Sequence, residues 1–191
     1  MLGMTEKNIM DIIEKKKGIM LDIGCGEHKT QSFIGMDARK IDGVDIVHDL
    51  EVFPYPIPDE SCSKILGSHV FEHINPQRTI PMLNELWRIM KWDGTLILTM
   101  PYAGSKGYWQ DPTHCNGCTE VTFQYFDPKY PLHNIYKPLP WKIKKGYPTY
   151  RMSGNLEVVM DKVVDYDGTD ENDDVEETIC ETPVTELGGN T

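Results

Sequence analysis

Apolar residues in the first hundred positions come in short blocks between turn formers. IMLDI (19–23), FIGMD (33–37), VDIVHDL (44–50), KILGSHV (64–70) and TLILTM (95–100) are each bounded by glycine, proline or polar residues. Blocks of this length read as buried strands rather than helices. Residues 5–17 follow a helical rhythm instead. Ile9, Ile12 and Ile13 share one face, Lys15–Lys17 occupy the last turn and Gly18 follows, which is sound helix-end chemistry. A second helix starts where Asn75 can cap and Pro76 suits the first turn. Ile80, Leu83, Leu86, Trp87 and Met90 form its stripe, and Gly94 in KWDG is placed to end it. Between strands three and four, EVFPYPIPDES packs three prolines into five positions and reads as a loop.

From 101 to 139 the chain is rich in Pro, Gly and aromatics, with one short helical candidate at TEVTFQYF. A stretch of this kind inside a compact domain is usually functional. Two alternating runs, around WKIKKGYPTYR and NLEVVMDKVV, predict a terminal antiparallel pair. The expected fold is α/β: a Rossmann-like, mainly parallel seven-stranded sheet ending in an antiparallel hairpin, as a single domain over 1–165. Ligands of such sheets sit at the carboxyl ends of the strands. That rule lines up Gly24, Gly26, Asp37, Asp49, Ser68 and Pro101 along one edge.

Composition then changes the picture in one place. The chain has 191 residues and a net charge of −11. Ten acids and no Lys or Arg follow from Asp165 onward, leaving residues 1–164 at −1. The acidity therefore belongs to a tail, 166–191, which reads as disordered and suited to a basic partner. Apart from the tail, charge argues only weakly against nucleic acid. No apolar run approaches a membrane span, and the N-terminus lacks the apolar core of a signal peptide. Five cysteines at 25, 62, 115, 118 and 180 are then expected to be reduced thiols in a cytoplasmic protein.

The chemistry starts at LDIGCG. A dinucleotide fingerprint wants G-x-G-x-x-G with an acid about 20 residues on. Here Gly24 and Gly26 are present, but Lys29 holds the third position and Asp37 comes only eleven residues after Gly26. No long helix fits between the first two strands, so a pyrophosphate on a helix N-terminus is hard to build. This weakens a nicotinamide reading.

LDIGCG resembles motif I of the class I S-adenosylmethionine-dependent methyltransferases, and IGMDAR resembles their next strand with its terminal acid. VDIVHDL with the Pro-rich loop and DESCSKILGSHVFEHI, then LNELWRIMKWDGTLILTMP, are similar to ordered runs of the small type 11 methyltransferases. The resemblance covers about residues 18–104. Trp92-Asp93 replaces the family's Pro-Gly, and Ser63-Lys64 stands where Phe-Asp is usual.

The resemblance implies S-adenosylmethionine as cofactor. Gly24, Cys25 and Gly26 would form its turn, and Asp37 with Ala38 would meet the ribose. Asp49 with Leu50 would meet the adenine, and Ser68 would close the edge. Asp22 would either fix the turn or face the methionine ammonium. Methyl transfer needs alignment more than a fixed catalytic signature. His73 and His114, the latter in DPTH, are the candidate catalytic residues, with Tyr102 and Tyr108 beside the acceptor. A histidine is a suitable base near neutral pH, although His73 could equally be a helix-start residue bonded to backbone.

HCNGC (114–118) could open a zinc site, but no second C-x-x-C or H-x-x-x-H follows; no metal is expected. Lys137, Lys142, Lys144, Lys145 and Arg151 could track a phosphate backbone, or be the solvent face of a hairpin. The expected function is methyl transfer to a small-molecule or sugar-like acceptor. A non-catalytic binding subunit is the alternative, and a nucleic-acid methyltransferase a weaker one.

Overall fold

The computed structural model describes residues 18–164 together with Asp11 and Ile13. Those two are helical; the other residues of the helix predicted over 5–17, and the 166–191 tail, lie outside the described residues.

All five predicted apolar blocks contribute strands: β1 (Ile19–Ile23), β2 (Ile34–Asp37), β3 (Ile46–Val47), β4 (Cys62–Ser68) and β5 (Met90–Pro101). The terminal runs give β6 (Trp141–Ile143), β7 (Thr149–Tyr150) and β8 (Asn155–Lys162). They form one sheet in the order β3-β2-β1-β4-β5-β8-β6, with β7 also paired to β8. The first five pair in parallel and β8 runs antiparallel to its neighbours. The count is eight rather than seven because WKIKKGYPTYR splits into β6 and β7 around Gly146, whose φ is +85°. The chain order reverses at β1, between β2 and β4, and opens the crevice where α/β sheets take ligands.

The helical layer is thin. Between β1 and β2 the chain makes turns only, as the short spacing required. Asn75 caps a 3₁₀ turn, Pro76–Arg78, with its side chain accepting the Gln77 N–H. This leads into α1 (Thr79–Ile89), which buries Met82, Leu83, Leu86 and Ile89 against the sheet. Burying each such side chain contributes about 1.5–3 kcal/mol. Gly94 does not end the helix. α1 stops at Ile89 and Met90 is already extended, pairing with Cys62 across an irregular register. Gly94 instead packs where a β-carbon would lie 2.3 Å from Met90 Sδ.

α1 also explains how the Pro-rich loop is held. Glu85 Oε1 accepts the Tyr55 N–H at 2.6 Å, and Arg88 Nη2 donates to the Ile57 carbonyl at 3.0 Å. Arg88 bridges the same Glu85, so a loop without regular hydrogen bonds finds partners on one helix. After β5 come two four-residue helices, α2 (Lys106–Trp109) and α3 (His133–Tyr136), with TEVTFQYF as a 3₁₀ helix, Glu120–Tyr125, between them. Phe123 from that turn is fully buried against Phe71, ring centroids 5.9 Å apart. Among the described residues no helix is long and apolar enough to cross a membrane.

Candidate functional site

At the end of β1, Gly24 and Gly26 take φ of +62° and +54°, conformations that suit glycine. Their turn is clamped to β2: the Gly24 N–H donates to the Met36 carbonyl at 2.7 Å, and the Gly26 N–H to Asp37 Oδ2 at 2.9 Å. Asp37 Oδ1 accepts from the Arg39 N–H at 2.9 Å and Nε at 3.2 Å. Burial alone would raise this carboxyl; the Arg39 and Gly26 hydrogen bonds outweigh it and hold it below the usual carboxylate range. Asp37 is therefore a buried anion beside the glycine turn.

Asp22 ties the end of β1 to the segment before β2. Its Oδ2 accepts the Thr30 N–H at 2.7 Å, and the residue is buried. Lys29, where a dinucleotide fingerprint needs glycine, pairs with Asp45 at 2.6 Å. Its side chain also covers Gly35, where a β-carbon would lie 2.7 Å from Lys29 Cδ. An ion pair and a carboxylate clamp thus replace the missing first helix. Cys25 is buried, and burial with Asp22 and Asp37 nearby pushes its thiol up to about 11. Ala38 is exposed after β2, Asp49 is exposed with Oδ1 accepting the Glu51 N–H, and Leu50 is buried. Ser68 is the exposed last residue of β4.

The other half of the site lies beyond β4 and β5. His69 follows Ser68 with φ +54°, uncommon for a non-glycine residue. Its Nδ1 faces Glu72 Oε1 at 3.2 Å and its Nε2 faces the Asn155 amide nitrogen at 3.2 Å. Asn155 is present because the β5–β8 register sets it opposite Pro101. The 3₁₀ turn Phe71–His73 then presents Glu72 and His73. The 111–118 loop is strapped onto this turn, with the Cys115 and Asn116 N–H groups both donating to the Glu72 carbonyl. That strap brings the His114 ring to 4.8 Å from the His73 ring, centroid to centroid. A cavity of about 350 Å³ lies here, lined by His69, Glu72, His73, Asp111, His114 and Asn155 among others.

The two histidines named from sequence therefore meet in one cavity. Of the other acceptor-side candidates, Tyr108 supports His114, accepting from its Nδ1 through the backbone carbonyl at 2.7 Å. Tyr102 stacks edge-on with Tyr150 instead. HCNGC does not act as a unit. His114 joins Glu72 and His73, whereas Cys118 is fully buried and its thiol is pushed up to about 12 by burial. Of the basic stretch, Lys144 pairs with Asp161 at 3.2 Å and Arg151 with Glu157 at 2.6 Å, as on the solvent face of a hairpin. His69, Asp111 and Asn155 were missed as cavity residues. Only the S-H-V-F-E-H and D-P-T-H runs hinted at them, and Asn155 has no local signal.

No family model and no curated protein matches the sequence. Solved structures do. An S-adenosylmethionine-dependent methyltransferase from Archaeoglobus fulgidus superimposes with a TM-score of 0.56 at 15% identity, covering 83% of this chain and 95% of that one. The aminoglycoside resistance methyltransferase NpmB1 gives 0.54 at 13% identity, covering 85% and 95%. A Sulfolobus solfataricus protein assigned to the type 11 methyltransferases gives 0.51 at 21%, covering 86% and 95%. The chain has the fold of the class I S-adenosylmethionine-dependent methyltransferases.

Proposed function

We propose that the chain is an S-adenosylmethionine-dependent methyltransferase acting on a small, polar, sugar-like acceptor. One observation supports this above the rest. The glycine turn with its buried Asp37 and the cavity of His73 and His114 open on the same sheet edge, joined through Val70. Val70 packs on Gly24 and immediately precedes the turn that carries Glu72 and His73.

The turn fits the cofactor. Left-handed φ at Gly24 and Gly26 suits glycine, Gly24 packs closely on Val70, and a carboxylate has about four lone-pair sites. Asp37 thus keeps about one acceptor position for a ribose hydroxyl beyond its three N–H partners. Leu50 and Asp49 lie at the end of β3, the adenine side. Bound S-adenosylmethionine supplies an electrophilic methyl group on a sulfonium.

The chain's own residues supply the rest. His114 Nδ1 faces the Tyr108 carbonyl, which only accepts, so the neutral ring carries its proton on Nδ1 and offers Nε2 as a base. The Thr113 hydroxyl donates to Asp111 Oδ1 at 2.7 Å and so accepts from His73 Nδ1 at 3.1 Å. The same tautomer follows for His73. Either Nε2 can take a proton from an acceptor hydroxyl held in the cavity. From the 111–118 strap, Asp111 and His114 line the cavity.

A non-catalytic binding subunit would not require two histidines with fixed tautomers in one cavity. The pairing of Lys144 and Arg151 with acids favours a small acceptor over nucleic acid. The 166–191 tail would serve as an arm for a basic partner. The test is transfer of isotope-labelled methyl from S-adenosylmethionine to a panel of sugars, aminoglycosides and small phenols, with an RNA control. Labelled small-molecule product supports the reading. Cofactor binding without turnover on any acceptor favours the binding subunit, and label on RNA alone overturns the acceptor class.

A further inference from the structure

Glu72 is 1% exposed, and its Oε2 has no hydrogen-bond partner among the described residues. Leaving a buried carboxylate oxygen unpaired is destabilising. It lines the cavity, beside two histidines. Glu72, His73 and His114 each bring one ligating atom within 4.8 Å of the others'. We propose that these three residues bind a divalent transition-metal ion, with zinc the best fit, whose open coordination position faces the cavity.

The surrounding hydrogen bonds are those a metal site needs. A ligating histidine usually donates its other ring N–H to a carbonyl or carboxylate, which fixes its tautomer. His114 does so to the Tyr108 carbonyl, and His73 does so to Thr113, which passes the bond to Asp111. Both rings therefore keep Nε2 free as a lone-pair donor. His114 Nε2 lies 3.9 Å from both Glu72 Oε1 and Asp111 Oδ2. The ligating carboxylate is itself oriented: with the Asn155 amide donating to His69 Nε2, the His69 proton sits on Nδ1 and donates to Glu72 Oε1. The second oxygen, Oε2, has no hydrogen-bond partner among the described residues.

The donor set selects the metal. Two imidazoles and one carboxylate suit catalytic zinc and non-haem iron, whereas magnesium and calcium prefer all-oxygen sites. Bonds of about 2.0–2.2 Å would draw the three ligand atoms to about 3.4 Å from one another. The exposed His73 has room for that movement. The sequence hid this site because its ligands are split between 72–73 and 114, and the neighbouring cysteines drew attention to a different set. With an ion bound, both Nε2 lone pairs are engaged, and the ion in place of a histidine base would hold an acceptor hydroxyl and lower its pKa. That use rests on the methyltransferase reading; binding of the ion does not.

The test is cobalt(II) titration of tag-free, chelator-stripped protein, read by visible d–d absorption, followed by zinc competition. One equivalent should give a saturable band that zinc displaces. His73→Ala, His114→Ala and Glu72→Gln should each weaken cobalt binding tenfold or more. Thr113→Ala, which touches no ion, should weaken it less. If Glu72→Gln fails to fold, the exposed His73→Ala carries the test. No saturable band, a band unchanged in both histidine variants, or one abolished only by Cys115→Ser or Cys118→Ser would overturn the proposal. S-adenosylmethionine titration of the same wild-type sample reads the methyltransferase proposal separately.

Discussion

A β-carbon on Gly24 would fall 2.3 Å from Val70 Cγ2. This contact joins the turn at the end of β1 to the segment after β4 that carries Glu72 and His73. Gly24 also has φ +62°, so alanine there meets both backbone strain and a clash. Gly24→Ala should lower stability by roughly 1–3 kcal/mol and weaken S-adenosylmethionine binding more than tenfold. Thermal unfolding and titration check this; an unchanged melting midpoint would show that Val70 yields freely.

Asp37 offers a sharper substitution. Asp37→Asn keeps the size but leaves one oxygen where two now accept from Gly26 and Arg39. Hydrogen bonds to a charged group contribute about 1.5–3 kcal/mol each, so cofactor affinity should fall at least tenfold with the fold retained. Equal affinity in Asp37→Asn would remove the ribose contact from this position.

Acid should destabilise the protein through carboxyls whose partners are already known. Burial alone would raise Glu85, but the Arg88 side chain and the Tyr55 N–H outweigh it and lower it; Asp37 is lowered too. Because the folded values lie below the unfolded ones, the unfolded chain takes up protons first as pH falls. The stabilisation is full above about pH 4–5, the top of the unfolded carboxyl range, and is lost as pH drops through the folded values. Arg88→Ala should cost about 1–3 kcal/mol, since it strips Glu85 and the Pro-rich loop of a shared partner, and should flatten the acid limb. A variant with wild-type acid sensitivity would place the coupling elsewhere.

The five parallel strands were legible because each is spelled by a short apolar block between turn formers; β1 and β2 are buried along nearly their whole length, and β4 and β5 bury alternate positions through most of theirs. The boundaries that failed have one cause. Met90 fits the apolar stripe of α1 and the core under β5 equally well, so periodicity alone carried the helix past Ile89. Val47 is exposed in a two-residue β3, which the longer VDIVHDL block overstated. The turn at Gly24 and Gly26 was readable because positive φ selects glycine. Glu72 with His114, and Asn155 with His69, were not, because β-register and the 111–118 strap assemble them across 42 and 86 positions.

The thiols separate by burial. Cys115 is exposed, whereas Cys25, Cys62 and Cys118 are buried, and burial pushes Cys62 and Cys118 up to about 12. Thiolate is the reactive form, so at neutral pH a thiol reagent should modify Cys115 quickly and these three only on unfolding. Mass mapping of the modified native protein checks the order. Rapid labelling of Cys25 would show that the Gly24–Gly26 turn opens.

The most direct test of the central claim is calorimetric titration of the purified chain with S-adenosylmethionine and S-adenosylhomocysteine, with NAD as control. The Gly24–Asp37 arrangement predicts saturable one-to-one binding of both sulfur nucleosides and none of NAD. Binding of NAD, or of none of the three, would contradict it.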